Sequence, residues 1–294
     1  MIYLVGSILF SSYLGLSFKV VERFNIPVLQ AIVFNYFTCV ITGSVVNGNF
    51  PVKASSFNEP WMIWAFIMGT MFIITFNLVG YTVQKIGVAV TSVAFKLSLV
   101  IPFIFSIYLY NETVTWIKIA GVVVALAAVV LTCLPPEKGE TPAHKHISAW
   151  MMFLLPALIF FGSGFVDTMV KYVEQTFLND TNNNAYLISA FGTAAVMGLI
   201  FLAIMLATGR QKFDKRSIIA GIAIGIPNYF SIWCLVKVLS MYQGYSSAII
   251  PINNMSIVLL SSVVAFIVFK EHLSKINWLG IILAIGAIAL IAFG

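Results

Sequence analysis

Lys96 is the side chain least in keeping with its surroundings and the one best placed to do chemistry. It lies in an apolar run over 87–110, nine residues after Gly87, or about 14 Å along a helix and near the middle of a bilayer. An ammonium at that depth costs roughly 2.5–3.5 kcal/mol on insertion scales. Neutral polar partners, its own deprotonation or a substrate anion can offset that cost. Asp167 lies eighteen residues into the run that opens at 149, about 27 Å along its helix, so the two charges differ in depth by about 13 Å. A direct ion pair therefore needs a bent or strongly tilted helix. An intramembrane ionisable residue is a functional hypothesis by default. The alternative is a lysine that snorkels or pairs with helix carbonyls.

Other polar residues stand in the same kind of surroundings. Asp167 and Lys171 have i,i+4 spacing and Lys171 and Glu174 i,i+3, and Lys19, Glu22 and Arg23 carry similar spacings in the first run. Such pairs are local ion pairs at helix ends or, since they can break and re-form, gates at the mouth of a pathway. Gly225-Ile226-Pro227-Asn228-Tyr229 and Pro251-Ile252-Asn253-Asn254 put a proline and amides inside apolar runs. Proline removes a backbone bond and frees a carbonyl, which in a membrane must be satisfied by protein or by water in a cavity, so both runs are expected to break. Asn35 and Asn77 are further polar candidates, with an interhelical hydrogen bond as the structural alternative. The expected substrate-binding set is Lys96, Asn77, Asn228, Tyr229, Asn253 and Asn254, and the expected gating or ion-pair set is Lys19, Asp167 and Lys171. No catalytic residue, metal ligand or cofactor motif is expected.

The elements that position these residues follow from composition. The chain has 294 residues, 61% hydrophobic and 9% charged, against about 25% charged in soluble domains. That excludes a soluble enzyme, a disordered chain and a disulfide scaffold. Cys39, Cys133 and Cys234 sit in apolar runs without metal-ligand spacing and read as small buried or lipid-facing residues. Apolar runs cover about 1–22, 28–46, 60–83, 87–110, 115–133, 149–173, 185–207, 217–239, 244–269 and 275–293, each near the roughly 20 residues a spanning helix needs. The first lacks a basic leader and a cleavage site and reads as a retained membrane helix. A polar stretch at 135–148 divides the runs five and five.

The halves resemble each other. Glu112, Val114, Thr115 and Gly121 match Glu271, Leu273, Ser274 and Gly280, with nine residues from Glu to Gly in both. Thr115 and Ser274 suit helix N-caps, and the glutamates suit the free amides of a helix start. Gly15 and Gly164 sit in similar aromatic, small-residue surroundings, the latter in Gly-Ser-Gly-Phe at 162–165. With an odd number of spans per half, the second copy is inserted upside down, a known way to build alternating access. Gly221 and Gly225, and Gly121 and Ala125, have the small-xxx-small spacing that permits close helix packing.

On the doubled turn and the five-plus-five layout, the sequence resembles the EamA-type branch of the drug/metabolite transporter superfamily over essentially its whole length. It departs from that pattern at Asn111 and Lys270, where a glycine often stands, and at Leu99 and Val258, where a proline is common. The resemblance implies an all-α membrane protein of ten transmembrane helices in two inverted five-helix repeats, at 1–134 and 149–294, joined by the 135–148 linker. It also implies export and cytoplasmic termini. The charge count points the other way. Eleven Lys and Arg fall at one set of helix ends and four at the other, which by the positive-inside rule puts both termini outside.

Together these readings predict a secondary active transporter in the inner (plasma) membrane. It would move a small polar metabolite of amino-acid or organic-acid type by alternating access about a central site walled by the first, third, fourth, sixth, eighth and ninth spans. The expected partners are that substrate, membrane lipid and a proton as one coupling ion; nucleic acid is not expected, and the chain is a monomer or homodimer. A multi-pass membrane enzyme acting on lipid lacks the clustered acids, bases or metal ligands it would need. A channel or receptor lacks a filter-like sequence.

Overall fold

In the structure, a computed structural model, residues 1–86, 88–110, 114–133, 149–179, 181–269 and 274–293 are described. They form helices α1 (Ile2–Arg23), α2 (Val28–Val46), α3 (Pro60–Ile86), α4 (Val88–Leu97), α5 (Val100–Tyr110), α6 (Trp116–Cys133), α7 (Ala149–Phe177), α8 (Asn183–Ala207), α9 (Arg216–Met241), α10 (Ser246–Phe269) and α11 (Lys275–Phe293), with a 3-10 turn at Ala54–Asn58. No strand occurs among the described residues. Among the described residues seven helices are long and apolar enough to cross a membrane, and Ile2–Phe18 and Trp116–Leu131 are shorter apolar helical stretches. Glu112, Glu271, Leu273 and the 135–148 linker lie outside the described residues.

Two expectations about helix breaks are reversed. Pro227 and Pro251 lie inside continuous helices; one missing backbone bond does not stop a membrane helix whose neighbours satisfy the freed carbonyl. The run at 87–110 breaks instead, into α4 and α5, at Ser98-Leu99. Pro102 accounts for the place. Its ring would clash with the carbonyl four residues back, that of Ser98. The chain turns there, with Ile101 N–H bonding to the Ser98 carbonyl at 2.9 Å, and Pro102 falls in the first turn of α5, where its missing N–H has no helical partner to lose.

The helices sort into two compact units, Met1–Asn77 with Met169–Met241 and Leu78–Thr168 with Tyr242–Gly294. Each draws on both halves of the sequence, and the division falls within α3 and α7. In the first unit α2 packs on α8 and α9, and α1 on α9. A Cβ built on Gly225 would lie 2.6 Å from the Asn35 carbonyl oxygen, and one on Gly221 2.9 Å from the Asn35 nitrogen. The small residues thus let two backbones approach, as their spacing predicts. Tyr36 stacks on Phe72 and Phe191, with centroids 6.3 and 6.1 Å away, and is completely buried.

In the second unit α6 lies along α11, and α10 packs on α5 and α11. Leu99, Phe103, Val129, Met255, Val258 and Ile291 lie in its buried core. A Cβ on Gly121 would lie 2.7 Å from Ile291 Cγ1. Both predicted N-caps form. Lys118 N–H donates to Thr115 Oγ1 at 3.2 Å, and Asn277 N–H to Ser274 Oγ at 3.1 Å, while Asn277 Oδ1 accepts from Ser274 N–H at 2.9 Å. The second cap is reciprocal, a capping box with Asn in the usual Glu place. Gly164 and Gly15, alike in sequence, differ in space: a Cβ on Gly164 would meet Ile101 Cβ at 2.8 Å, whereas Gly15 has nothing within 4 Å.

Candidate functional site

The residues singled out in the sequence fall into both units. Lys96, Asp167, Asn253 and Asn254 belong to the second; Asn77, Lys171, Asn228 and Tyr229 belong to the first, as does Lys19, near the C-terminal end of α1.

In the second unit the charges come together at the break in the fourth run. Lys96 sits one residue before the end of α4 and is half-buried, its ammonium 5.1 Å from the Phe95 ring centroid. Its charge acts on the Asp167 carboxylate of α7. Asp167 Oδ2 also accepts from Asn254 Nδ2 of α10 at 3.1 Å. The fourth run breaks just after Lys96, at Ser98-Leu99, and is thus not the single straight helix that the sequence reading takes it for. Polar groups line the same place. Ser98 and Ser163 hydroxyls both donate to the Phe95 carbonyl, at 2.6 and 3.4 Å. Asn253 is 4% exposed and its Oδ1 has no hydrogen-bond partner among the described residues. A buried acceptor left unpaired costs free energy, so this oxygen suits a donor brought by a ligand or by water. The chemistry available is recognition by opposite charges: an ammonium for an anion, balanced by a carboxylate held in place by an amide.

In the first unit the amides bind one another. Asn228 Nδ2 donates to Asn35 Oδ1 at 3.1 Å, and the Cys39 thiol donates to the Gly225 carbonyl at 3.3 Å. Asn184 Oδ1 accepts from Tyr229 Oη at 3.2 Å and from Trp233 Nε1 at 3.1 Å. Asn77 Nδ2 donates to the Ile73 carbonyl of its own helix at 2.7 Å. Lys171 and Glu174 form an ion pair of 3.3 Å with both side chains only 2% and 3% exposed, far more buried than a helix-end pair.

Two residues that the sequence reading missed are Asn184 and Gln30. Asn184 ties α8 to α9; the polar run at 176–184 reads as a loop or cap, and nothing in it distinguishes an amide that bonds to another helix from one that does not. Gln30 is 0% exposed, and its amide clamps the loop between α8 and α9, accepting from Asp214 N–H at 2.9 Å and donating to the Lys212 carbonyl at 2.8 Å. In that loop, hydrogen bonds from Arg216 hold the Asp214 carboxyl below its ordinary value of 3.8. The described residues hold no group of three His, Cys, Asp or Glu able to bind a metal ion.

Comparison with known proteins agrees with this architecture. Residues 1–134 match the EamA-like transporter family. An uncharacterized protein of Haemophilus influenzae is 27% identical over 97% of this chain and 95% of its own. A solved crystal structure of a protein superposes with a TM-score of 0.75 over 99% of this chain and 96% of its own, at 15% identity, which shows a shared fold. EamA-like proteins are membrane transporters, and the apolar helices make this a multi-pass membrane protein. Over its first 134 residues, a little under half of its length, the chain is similar to the EamA-like transporter family.

Proposed function

We propose that the protein is a secondary active transporter of a small polar metabolite carrying an anionic group, of amino-acid or organic-acid type. It works as an exporter or exchanger in the inner membrane, by alternating access between two inverted five-helix repeats at 1–134 and 149–294. The observation that carries this reading is Lys96, at the broken end of α4 and in the field of Asp167, which also binds Asn254. An ammonium so placed is offset by the carboxylate while the site is empty and turns to the substrate anion when it is full. Charges inside a membrane protein are retained where they serve a pathway or a relay. A proton is a suitable coupling ion, because displacing Asp167 from Lys96 leaves a carboxylate that must find another partner. The chain carries no nucleotide-binding motif, which favours an ion or substrate gradient as the energy source.

The test is ligand-dependent thermal stability and transport of the purified protein. A ligand at about 100 times its Kd adds roughly 2.7 kcal/mol. Carboxylate-bearing compounds are expected to stabilise the wild type, and Lys96→Ala is expected to lose that stabilisation and counterflow in proteoliposomes while keeping its unliganded midpoint. Normal transport by Lys96→Ala would overturn the site, and linear, non-saturating flux would point to a channel.

A further inference from the structure

One end of the first unit gathers cations that the transport reading does not use. α1 stops at Arg23 in a Schellman turn: Asn25 takes a φ of 51° and Ile26 N–H bonds to the Val21 carbonyl at 3.0 Å. α8 stops in the same way, with Gly209 at a φ of 67° and Arg210 N–H on the Met205 carbonyl at 3.0 Å. Only a residue tolerant of left-handed backbone closes such a turn. Long-range bonds bring the two turns together. Besides the Gln30 clamp on 212–214, Arg216 Nη1 donates to the Phe24 carbonyl at 3.3 Å. The Phe213 ring meets Phe34 edge-on, with centroids 6.1 Å apart.

The outcome is an exposed basic surface of Arg23, Arg210, Lys212, Lys215 and Arg216, flanked by exposed Phe24 and Phe213. Asp214 is engaged with Arg216 at 2.7 Å. No ion pair to the other four cations occurs among the described residues. The surface lies where α1 and α8 end and α2 and α9 begin, at the level where a membrane helix meets the headgroups. Aromatic rings settle at that level, and cations there attract anionic lipid.

We infer that this surface binds the phosphate of an anionic phospholipid. The backbone clamps hold the two turns together before the lipid arrives, so the cations converge on one headgroup rather than scatter over the leaflet. This inference stands apart from the transport reading and survives its failure.

The test uses the full chain in neutral detergent, titrated with short-chain phosphatidylglycerol, short-chain phosphatidylcholine or inorganic phosphate, with the thermal midpoint as readout. Phosphatidylglycerol alone is expected to raise the midpoint. Each basic residue near an anionic surface contributes about fivefold in affinity. The triple variant Arg210→Gln, Lys212→Gln, Lys215→Gln is therefore expected to bind phosphatidylglycerol roughly a hundredfold more weakly, with its lipid-free midpoint unchanged. Lys53→Gln, an exposed charge elsewhere in the same unit, is expected to bind like the wild type. The inference is overturned if the triple variant binds as tightly as the wild type, if phosphatidylcholine stabilises equally, or if Lys53→Gln is as weak as the triple variant. Equal stabilisation by inorganic phosphate also overturns it, in favour of a soluble-anion site.

Discussion

Lys171 and Glu174 show how differently one spacing behaves at the surface and in the interior. As an exposed i,i+3 pair they would contribute a few tenths of a kcal/mol. At 2% and 3% exposure each leaves the other as a buried charge when it is removed, a loss on the order of 3–5 kcal/mol. Glu174→Leu is therefore expected to lower the unfolding midpoint markedly in detergent. The double variant Lys171→Met, Glu174→Leu is expected to recover most of the loss, because neither charge of the pair remains buried. A double variant as unstable as Glu174→Leu alone would show that Lys171 matters for something other than this pair. The asparagines divide along the same line. Asn228 is engaged by Asn35, whereas the Oδ1 of Asn253 finds no partner among the described residues. Sequence placed both in apolar runs after a proline and had no means to tell them apart, since the partner of Asn228 lies 193 positions away.

At the scale of the element, ten apolar runs were legible and their ends agree with the helices to within a few residues, because helix length is set by apolar content and by polar or proline breaks. α2 and α11, expected at 28–46 and 275–293, form as Val28–Val46 and Lys275–Phe293. The internal breaks were harder to read. Four prolines, Pro102, Pro156, Pro227 and Pro251, carry the same local signal, yet of these only the first accompanies a break. Position within the run decides what the lost bond costs, and neighbours decide whether the freed carbonyl is served. Close packing was read correctly where small residues repeat. Gly225→Ala is expected to destabilise by about 1–3 kcal/mol, because the new methyl meets the Asn35 carbonyl at 2.6 Å and backbone does not yield. Gly192→Ala, whose nearest neighbour is Val40 Cγ2 at 3.9 Å, is expected to unfold with the wild type. Equal loss in both variants would put the effect in helix flexibility rather than contact.

For the whole molecule, the asymmetry of eleven basic residues against four predicts both termini outside. Epitopes fused to the termini are then expected to react with antibody added to intact right-side-out vesicles; reaction only after permeabilisation would reverse the orientation. Sequence by itself determined that the chain is a helical membrane protein, where its apolar runs lie, where helices cap at Thr115 and Ser274, and that the ammonium of Lys96 falls within an apolar run. Each of these depends on hydrophobicity, spacing or local hydrogen bonding, which neighbouring residues carry. Only the tertiary structure decided that Lys96 meets the field of Asp167, that Asn35 engages Asn228, and that Gln30 draws two basic turns into one surface. Those contacts join residues far apart along the chain, and backbone close approach selects them, which no local pattern encodes.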